Sequence, residues 1–348
     1  MKRLWLLFLC LGACATPQLA PQPPVTEAEM RATVGVLAGD TFAGRMAGTD
    51  GEAKAAAFIA ERFRAGGLEA PEGGYLQEFK VDRKATALPA ETVKLPAGQR
   101  FFIEQMNQRG PFNAINVIAR APGRSPDGRA VVVMAHYDHL GICMPEAAPD
   151  RICNGAVDNA TGVAALLAVA ERVRAMKLDR DVWFVATSAE EWGLFGAKAF
   201  AENPPLPLAR IIAGFNLDTI AVAPRGKPVA MVAAKGAGLE QLVRQAAATM
   251  GRAWDGDDEA ASFLQRQDGW ALAQRGVPMI MAGGSFSDMK LLEAFLADSY
   301  HEPSDELRPE TEFGGAVEDA NLHVELVRRA ASRGLLPTFA GVPRLGAK

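Results

Sequence analysis

Five residues of types that bind metal ions occur along this chain, and a further acidic residue directly precedes one of them. The five are His136, Asp158, Glu191, Asp218 and His301, and the further residue is Glu190. A catalytic zinc ion takes about three nitrogen or oxygen ligands from the protein and keeps one position open for water. Two ions that share a bridging carboxylate therefore need about five side chains, and another carboxylate can accept the proton of the water. The set predicts a hydrolytic site for two metal ions.

Short apolar segments must position these side chains. Three runs rich in β-branched residues predict buried strands, and they are residues 129–135, 181–187 and 211–217. His136 and Asp218 directly follow the first and third runs, and the Glu190–Glu191 pair lies just beyond the second. Because ligands gather at the carboxyl ends of parallel strands in open α/β sheets, we expect these side chains to meet at one edge of a sheet.

The segment after Asp158 has the spacing of a helix. Apolar residues recur at helical intervals in residues 163–176, and either Asp158 or Asn159 is a suitable N-cap. The alternation of such helices with the predicted strands indicates an α/β fold. We expect a mixed, mostly parallel central sheet with helices on both faces, in one domain that occupies residues 29–348.

Successive motifs of this chain resemble those of the secreted bacterial zinc aminopeptidases, metallopeptidase family twenty-eight. The motifs are AHYDHLG, NGAVDNATGVAALL, ATSAEEWGLFGAKAF, FNLDTI and YHEPSDEL. The similarity extends upstream to AGRMAGTDGEAKAAAFIAERFRAGGLE, so it covers nearly all of the chain after its N-terminal segment. One such motif alone is weakly specific, whereas their common order is strongly specific. Some relatives insert a protease-associated domain, but residues 80–109 are too few for one.

The resemblance implies a metal-binding role for each candidate ligand. Asp158 would bridge two zinc ions. His136 and Asp218 would complete the site of one ion, and Glu191 and His301 would complete the site of the other. Zinc is the expected metal, and other divalent ions bind the same types of ligand.

The resemblance also implies how catalysis would proceed. Glu190 would be the general base for a water activated by the two ions. Asp138 would hold the imidazole of His136 in the tautomer that binds metal. The substrates would be peptides with a free N-terminus, from which the enzyme would release the first residue.

Three other functions are compatible with part of this pattern. A glutaminyl-peptide cyclotransferase has a related fold and uses many of the same ligand positions around one zinc ion. Dipeptidase or carboxypeptidase-like activity belongs to the same clan. A binding domain without catalysis is the third, but such relatives usually lack metal ligands, and here none is missing. The EEWGLFGAKAF motif favours the peptidase over the cyclotransferase.

The remaining histidines need no role in such a site. For His139 and His323 we expect ordinary polar residues whose hydrogen bonds are satisfied, with His323 on a C-terminal helical segment. The Glu190–Glu191 pair has an alternative interpretation as a solvated acidic pair. Two like charges directly after a buried strand are costly without a cation, and this favours the metal site.

One segment departs from the family pattern. Where relatives usually have Ser-Asp-His, this chain has Gln267, Asp268 and Gly269. None of the proposed metal ligands lies there. We therefore expect an altered substrate-binding wall and an intact catalytic site.

The N-terminus has the features of a bacterial lipoprotein signal. A short basic segment, residues 1–3, precedes an apolar run, and residues 11–14 (LGAC) fit a lipobox. The apolar run is far shorter than the roughly 20 residues that span a bilayer. Cys14 would carry the lipid, and residues 15–28 would form a Pro-rich tether of an exported, periplasmic protein. Simple secretion, with cleavage a few residues further on, is the alternative.

Two other cysteines lie between the first two metal ligands. Cys143 and Cys153 both fall in the segment that joins His136 to Asp158. In an oxidising compartment we expect them to form a disulfide. The alternative, a thiolate metal site, lacks the further cysteine or histidine ligands that would complete a zinc shell.

The composition excludes one class of partner. The net charge is −4, and no stripe of Lys and Arg residues indicates binding to nucleic acid. With 49% apolar residues the chain is typical of a soluble globular domain. The expected partners are peptide substrates, with membrane contact only through the lipid anchor.

Overall fold

A computed structural model describes residues 22–82, 95–234 and 238–335 of the chain. Cys14 and the first half of the predicted tether, residues 15–21, lie outside these ranges. Within the last part of the tether segment, Val25 is buried, and Glu27 already begins the first helix. Arg172 donates hydrogen bonds to the carbonyl groups of Pro23 and Pro24. The chain is thus packed against the domain from about residue 23 onward.

Helices alternate with strands through the described ranges. The helices are α1 (Glu27–Leu37), α2 (Asp50–Ala65), α3 (Ala97–Gln108), α4 (Thr161–Met176), α5 (Phe195–Glu202), α6 (Glu240–Thr249), α7 (Gly269–Ala273), α8 (Met289–Asp298) and α9 (Gly314–Ala331). The strands are β1 (Leu76–Val81), β2 (Phe112–Ala121), β3 (Ala130–His136), β4 (Gly141–Ile142), β5 (Ile152–Cys153), β6 (Asp181–Thr187), β7 (Ile211–Asn216), β8 (Ala230–Ala233) and β9 (Met279–Gly283). Among the described residues, no helix combines the length and apolar character needed to cross a bilayer.

The seven-stranded sheet has the order β1-β2-β6-β3-β7-β9-β8. Its four central strands are parallel, because β3 pairs in parallel with β6 and β7, and β7 pairs in parallel with β9. β2 and β8 run antiparallel to their neighbours. This confirms the predicted mixed, mostly parallel sheet. The three strands predicted to carry the site residues, β3, β6 and β7, are adjacent in the sheet.

Apolar residues of β3 show how the two faces are covered. Val131 and Val133 pack into the main core, to which the almost entirely buried helix α4 contributes. Val132 and Met134 face the other side and pack with residues of α5 and α7. The alternation of side chains along a strand explains this division. Helices therefore cover both faces of the sheet, as predicted.

A smaller apolar cluster lies at the β8–β9 edge of the sheet. Its buried members, which we call the edge cluster, are Ala230, Val232, Ala260, Met281, Phe286 and Leu292. It is separate from the main core. Helix α8 joins it through Leu292 and borders the site described next.

Candidate functional site

The predicted ligands come together at the carboxyl edge of the parallel strands. His136 is the last residue of β3, and Asp218 lies two residues beyond the end of β7. Asp158 lies in the turn before α4, and His301 follows α8. Each of these four residues is buried, with at most 8% of the residue exposed. Glu191, in the turn after β6, joins them with 4% of its side chain exposed.

The carboxylate of Asp158 lies between two sets of donor atoms. Its Oδ1 is 3.2 Å from His136 Nε2, which is also 3.5 Å from Asp218 Oδ1. Its Oδ2 is 3.4 Å from His301 Nε2, which is also 3.0 Å from Glu191 Oε2. Each set therefore contains one imidazole nitrogen, one oxygen of Asp158 and one further carboxylate oxygen.

The spacing of these atoms fits metal ions. Ligand atoms about 2.0 Å from a tetrahedral ion are about 3.3 Å apart, close to the separations around Asp158. Asp158 Oδ2 and His301 Nε2 are buried, yet neither has a hydrogen-bond partner among the residues that the structure describes. Buried ligand atoms so close together are suited to share a cation, and His136, Asp158 and Asp218 form one group that could hold a metal ion. The imidazole and carboxylate ligands are types that zinc binds.

The electrostatics of the site without metal point the same way. Burial alone would lower the pKa of His136, but Asp218, Asp138 and Asp158 outweigh it and raise that pKa well above its usual value. Burial would also lower the pKa of His301, but the neighbouring carboxylates of Glu191 and Asp158 outweigh it and raise that pKa to about 9. Carboxylates are thus in excess around both imidazoles. Bound cations would offset that excess.

Glu190 and Asp138 are linked to each other. Burial, followed by the neighbouring charge of Glu191, raises the pKa of Glu190 well above its usual range despite the opposing effect of His136. The backbone N–H of Glu190 donates to Asp138 Oδ1 at 3.1 Å. Asp138 also contacts His136, because its carbonyl oxygen lies 3.2 Å from His136 Nδ1, closer than its carboxylate at 3.7 Å. The backbone of Asp138 thus supports the expected tautomer, and its carboxylate holds the segment of Glu190.

Arg45 supports the loops that carry the ligands. Its guanidinium is fully buried and donates to carbonyl groups only, those of Leu37, Tyr137, Asn154 and Gly155. Burial lowers its pKa to about 10. Tyr137 follows His136, and Asn154 and Gly155 precede Asp158, so a single side chain connects two ligand-bearing segments. Arg45 lies in the motif AGRMAGTDGEAKAAAFIAERFRAGGLE, and no local sequence pattern indicates this role.

His139 corrects one sequence-based expectation. We expected an ordinary polar residue, but His139 is fully buried within the ligand cluster. Its Nδ1 lies 2.9 Å from Glu191 Oε1 and 3.8 Å from Asp158 Oδ2. The sequence did contain a signal for this position, because His139 follows His136 by three residues at the end of a predicted buried strand. His323, in contrast, lies in α9, away from the site, where Nδ1 donates to the carbonyl of Asp319 at 2.7 Å.

A pocket opens beside the cluster. His136, Asp158, Glu190 and Asp218 contribute to it. Its other walls are mostly apolar and include Phe263, Met281, Phe286, Leu292, Leu296 and Tyr300. Gln267, from the segment that departs from the family pattern, also lines it, and its Oε1 accepts from Gly269 N at 2.7 Å.

The predicted cysteine pair is bonded. Cys143 and Cys153 form a disulfide with their Cα atoms 5.7 Å apart. Cys153 Sγ lies 3.6 Å from the carbonyl oxygen of His301. The disulfide therefore fixes the segment before Asp158 next to the backbone of another candidate ligand.

Comparison with known sequences gives one family match. The sequence profile of peptidase family M28 matches residues 116–323, which is more than half of the chain. Alkaline phosphatase isozyme conversion protein of Escherichia coli strain K12 is 27% identical over 167 residues, 45% of this chain and 41% of that protein. The chain spans less than half the length of the curated relatives it matches.

Comparison with solved structures gives a fold. The zinc aminopeptidase BSAP from Bacillus subtilis has a TM-score of 0.65 and 16% identity, covering 93% of this chain and 100% of that one. A glutaminyl cyclase from Bacteroides thetaiotaomicron has a TM-score of 0.62 and 15% identity, covering 88% and 98%. At such identities the likeness shows a common fold and does not separate the two activities.

Proposed function

This chain belongs to peptidase family M28, and from that premise we propose that it is a metal-dependent aminopeptidase. The observation that carries the proposal is the position of Asp158, with one carboxylate oxygen facing each of two donor sets. His136 and Asp218 would hold one metal ion, and Glu191 and His301 the other. Membership of a peptidase family supports the proposed hydrolytic activity.

The residues of the site suit peptide hydrolysis. Two bound divalent metals would make water more acidic and polarise the scissile carbonyl group. Glu190 lines the pocket next to His136 and Asp218. Its carboxylate would accept a proton from the attacking water and return that proton to the departing amine.

The pocket indicates which substrates fit. Its apolar walls would bury the side chain of the first residue, and burial contributes about 25 cal/mol for each Å² of apolar surface. The acidic cluster at one end would attract the free α-amine of the same residue. Peptides with an unblocked amine and an apolar first residue are therefore the proposed substrates.

Glutaminyl cyclotransferase is the second candidate, because a cyclase shares the fold over most of the chain. Two complete donor sets around Asp158 favour the peptidase. Cyclisation would release ammonia and keep the length of the peptide, whereas an aminopeptidase shortens it by one residue at a time.

Mass spectrometry of products over time separates these possibilities. Purified protein loaded with zinc is incubated with a peptide that begins with leucine, the same peptide with an acetylated amine, and a peptide that begins with glutamine. We expect stepwise shortening of both free peptides and little change in the acetylated one. Loss of ammonia without shortening would establish the cyclase, and internal cleavage of the acetylated peptide would exclude an aminopeptidase.

A further inference from the structure

His139 is a third imidazole in a cluster whose two metal positions already have complete donor sets. Its side chain is fully buried, and Nδ1 lies 2.9 Å from Glu191 Oε1, a normal hydrogen-bond length. Neither donor set around Asp158 includes His139.

The two oxygens of Glu191 have different neighbours. Oε1 contacts His139 Nδ1, and Oε2 lies 3.0 Å from His301 Nε2 in the donor set proposed for metal. A carboxylate can rotate about its last bond and exchange its oxygens unless one of them is held. A hydrogen bond to Oε1 would therefore keep Oε2 facing His301 and Asp158.

Backbone groups hold the ring of His139 in place. A Cβ atom on Gly155 would lie 2.6 Å from His139 Cγ, so only glycine allows this close approach. The carbonyl of Gly155 accepts from Arg45 at 3.0 Å, which anchors that wall. On the other side, the backbone N–H of His139 donates to the carbonyl of Arg45 at 3.4 Å. The direction of Nδ1 is thus fixed by packing.

The environment of the second ring nitrogen, Nε2, supports a proton on Nδ1. Nε2 of His139 is buried and has no hydrogen-bond partner among the described residues. A neutral imidazole with its proton on Nδ1 leaves only a lone pair unpaired at Nε2, whereas the other tautomer would bury an unpaired N–H. The first tautomer is the one that can donate to Glu191.

We propose that His139 is a positioning residue that donates from Nδ1 to Glu191 Oε1 and so presents Oε2 to the second metal position. This inference rests on the proposed two-metal site. Direct ligation by His139 is the competing role. Ligand atoms of His139, Asp158 and Glu191 lie close enough together to hold an ion, so this role needs a test. The positioning role is favoured because His139 Nδ1 lies 2.9 Å from Glu191 Oε1, whereas His301 Nε2 lies 3.0 Å from the other oxygen, Oε2.

Two substitutions of similar size separate the roles. His139→Asn keeps an N–H donor near the position of Nδ1. His139→Gln places its amide near the position of Nε2 and removes the donor that faces Glu191. Neither amide is a good zinc ligand. His323→Gln, at another fully buried histidine outside the site, is the matched control.

The readouts are metal affinity and the spectrum of the cobalt-substituted protein. Zinc affinity is measured by competition with a chromophoric chelator, and the thermal midpoint without metal reports folding separately. We expect His139→Gln to weaken one of the two sites by about 10- to 100-fold, the usual effect of removing a partner that orients a ligand. His139→Asn should stay within a few-fold of the wild type with an unchanged cobalt spectrum, and His323→Gln should bind metal normally.

Each contrary result overturns a specific claim. If His139→Asn loses as much affinity as His139→Gln and alters the cobalt spectrum, His139 is a ligand and the positioning role is wrong. If His139→Gln binds two zinc ions with unchanged affinity, His139 has no role at the metal site. If the wild-type protein itself does not bind two ions, the proposed two-metal site fails, independently of the histidine variants.

Discussion

Asp138 Oδ1 accepts a hydrogen bond from the backbone N–H of Glu190, with 3.1 Å between the nitrogen and the oxygen. Asp138 lies in the loop after β3, and Glu190 lies in the turn after β6, so this bond joins the carboxyl ends of two adjacent strands. The main chain of Glu190 is thereby fixed independently of its side chain. Substitutions at Glu190 can therefore change chemistry without displacing the neighbouring ligand.

Substitutions at the two adjacent glutamates, Glu190 and Glu191, should have different effects on catalysis and on metal binding. Glu190→Gln should keep its metal and lose about 10²- to 10⁴-fold in kcat, the usual contribution of general acid–base catalysis. Glu191→Gln should instead weaken the binding of one metal ion. Metal content and kcat are measured for both, with the exposed Glu61→Gln as a control. Exchanged behaviour of the two variants would show that the roles are reversed.

Metal stoichiometry tests the arrangement around Asp158. We expect two divalent ions per chain in protein that has never met a chelator, because each donor set has one imidazole and two carboxylate oxygens. Chelation should abolish peptidase activity, and added zinc should restore it. Elemental analysis that finds one ion in fully active protein would rule out the two-metal proposal.

The buried guanidinium of Arg45 should be important for stability. Arg45→Met leaves the carbonyl groups of Tyr137, Asn154 and Gly155 without their donor, and we expect the free energy of unfolding to fall by about 3 to 5 kcal/mol. Urea denaturation of the metal-free protein measures this change. Arg64→Met, at an exposed arginine, should change stability by about 0.5 kcal/mol or less. An equally small effect at Arg45 would contradict the structural role.

His323 should make stability depend on pH. Burial lowers the pKa of His323 from 6.5 to about 4. Between these pH values the imidazole is protonated in the unfolded chain and neutral in the folded protein. This effect is absent above pH 6.5, and stability falls as the pH decreases from about 6.5 to about 4. One proton over that interval corresponds to about 3 kcal/mol. His323→Phe should remove this contribution, seen as a smaller difference between unfolding free energies at pH 7.5 and pH 4.5; parallel curves for the two proteins would refute it.

The N-terminal prediction concerns residues outside the described ranges. Because residues 11–14 fit a lipobox, we expect a labelled fatty-acid precursor to mark the wild-type protein and not Cys14→Ala. For the described cysteines, non-reducing peptide mapping of the purified wild-type protein should join Cys143 to Cys153. Equal labelling of both proteins would show that Cys14 is not the lipidation site.

The strands that carry the site could be predicted because their signal is local. The runs 129–135, 181–187 and 211–217 correspond to β3, β6 and β7 within one residue at each end. Their apolar, β-branched composition suits strands buried on both faces. Ligands that directly follow such strands can be placed at one edge from the order of elements alone.

The details that escaped the sequence depend on distant contacts. The position of His139 beside Glu191 requires Gly155 and Arg45 to fix its ring, and no local pattern encodes that arrangement. The predicted N-cap, Asp158 or Asn159, was wrong, because the N-cap of α4 is Ala160, which makes no side-chain capping hydrogen bond. Helix α4 begins at Thr161, and Asn159 Oδ1 accepts from Gly162 N at 3.1 Å, whereas the carboxylate of Asp158 faces the cluster.

The edge cluster has a consequence for how substrate preference can change. The candidate metal ligands lie at or beyond the ends of the central strands, but Met281, Phe286 and Leu292 of the pocket wall belong to this separate apolar cluster at the β8–β9 edge. Under the proposed function, substitutions in the edge cluster would change which first residue the pocket accepts without replacing any candidate metal ligand.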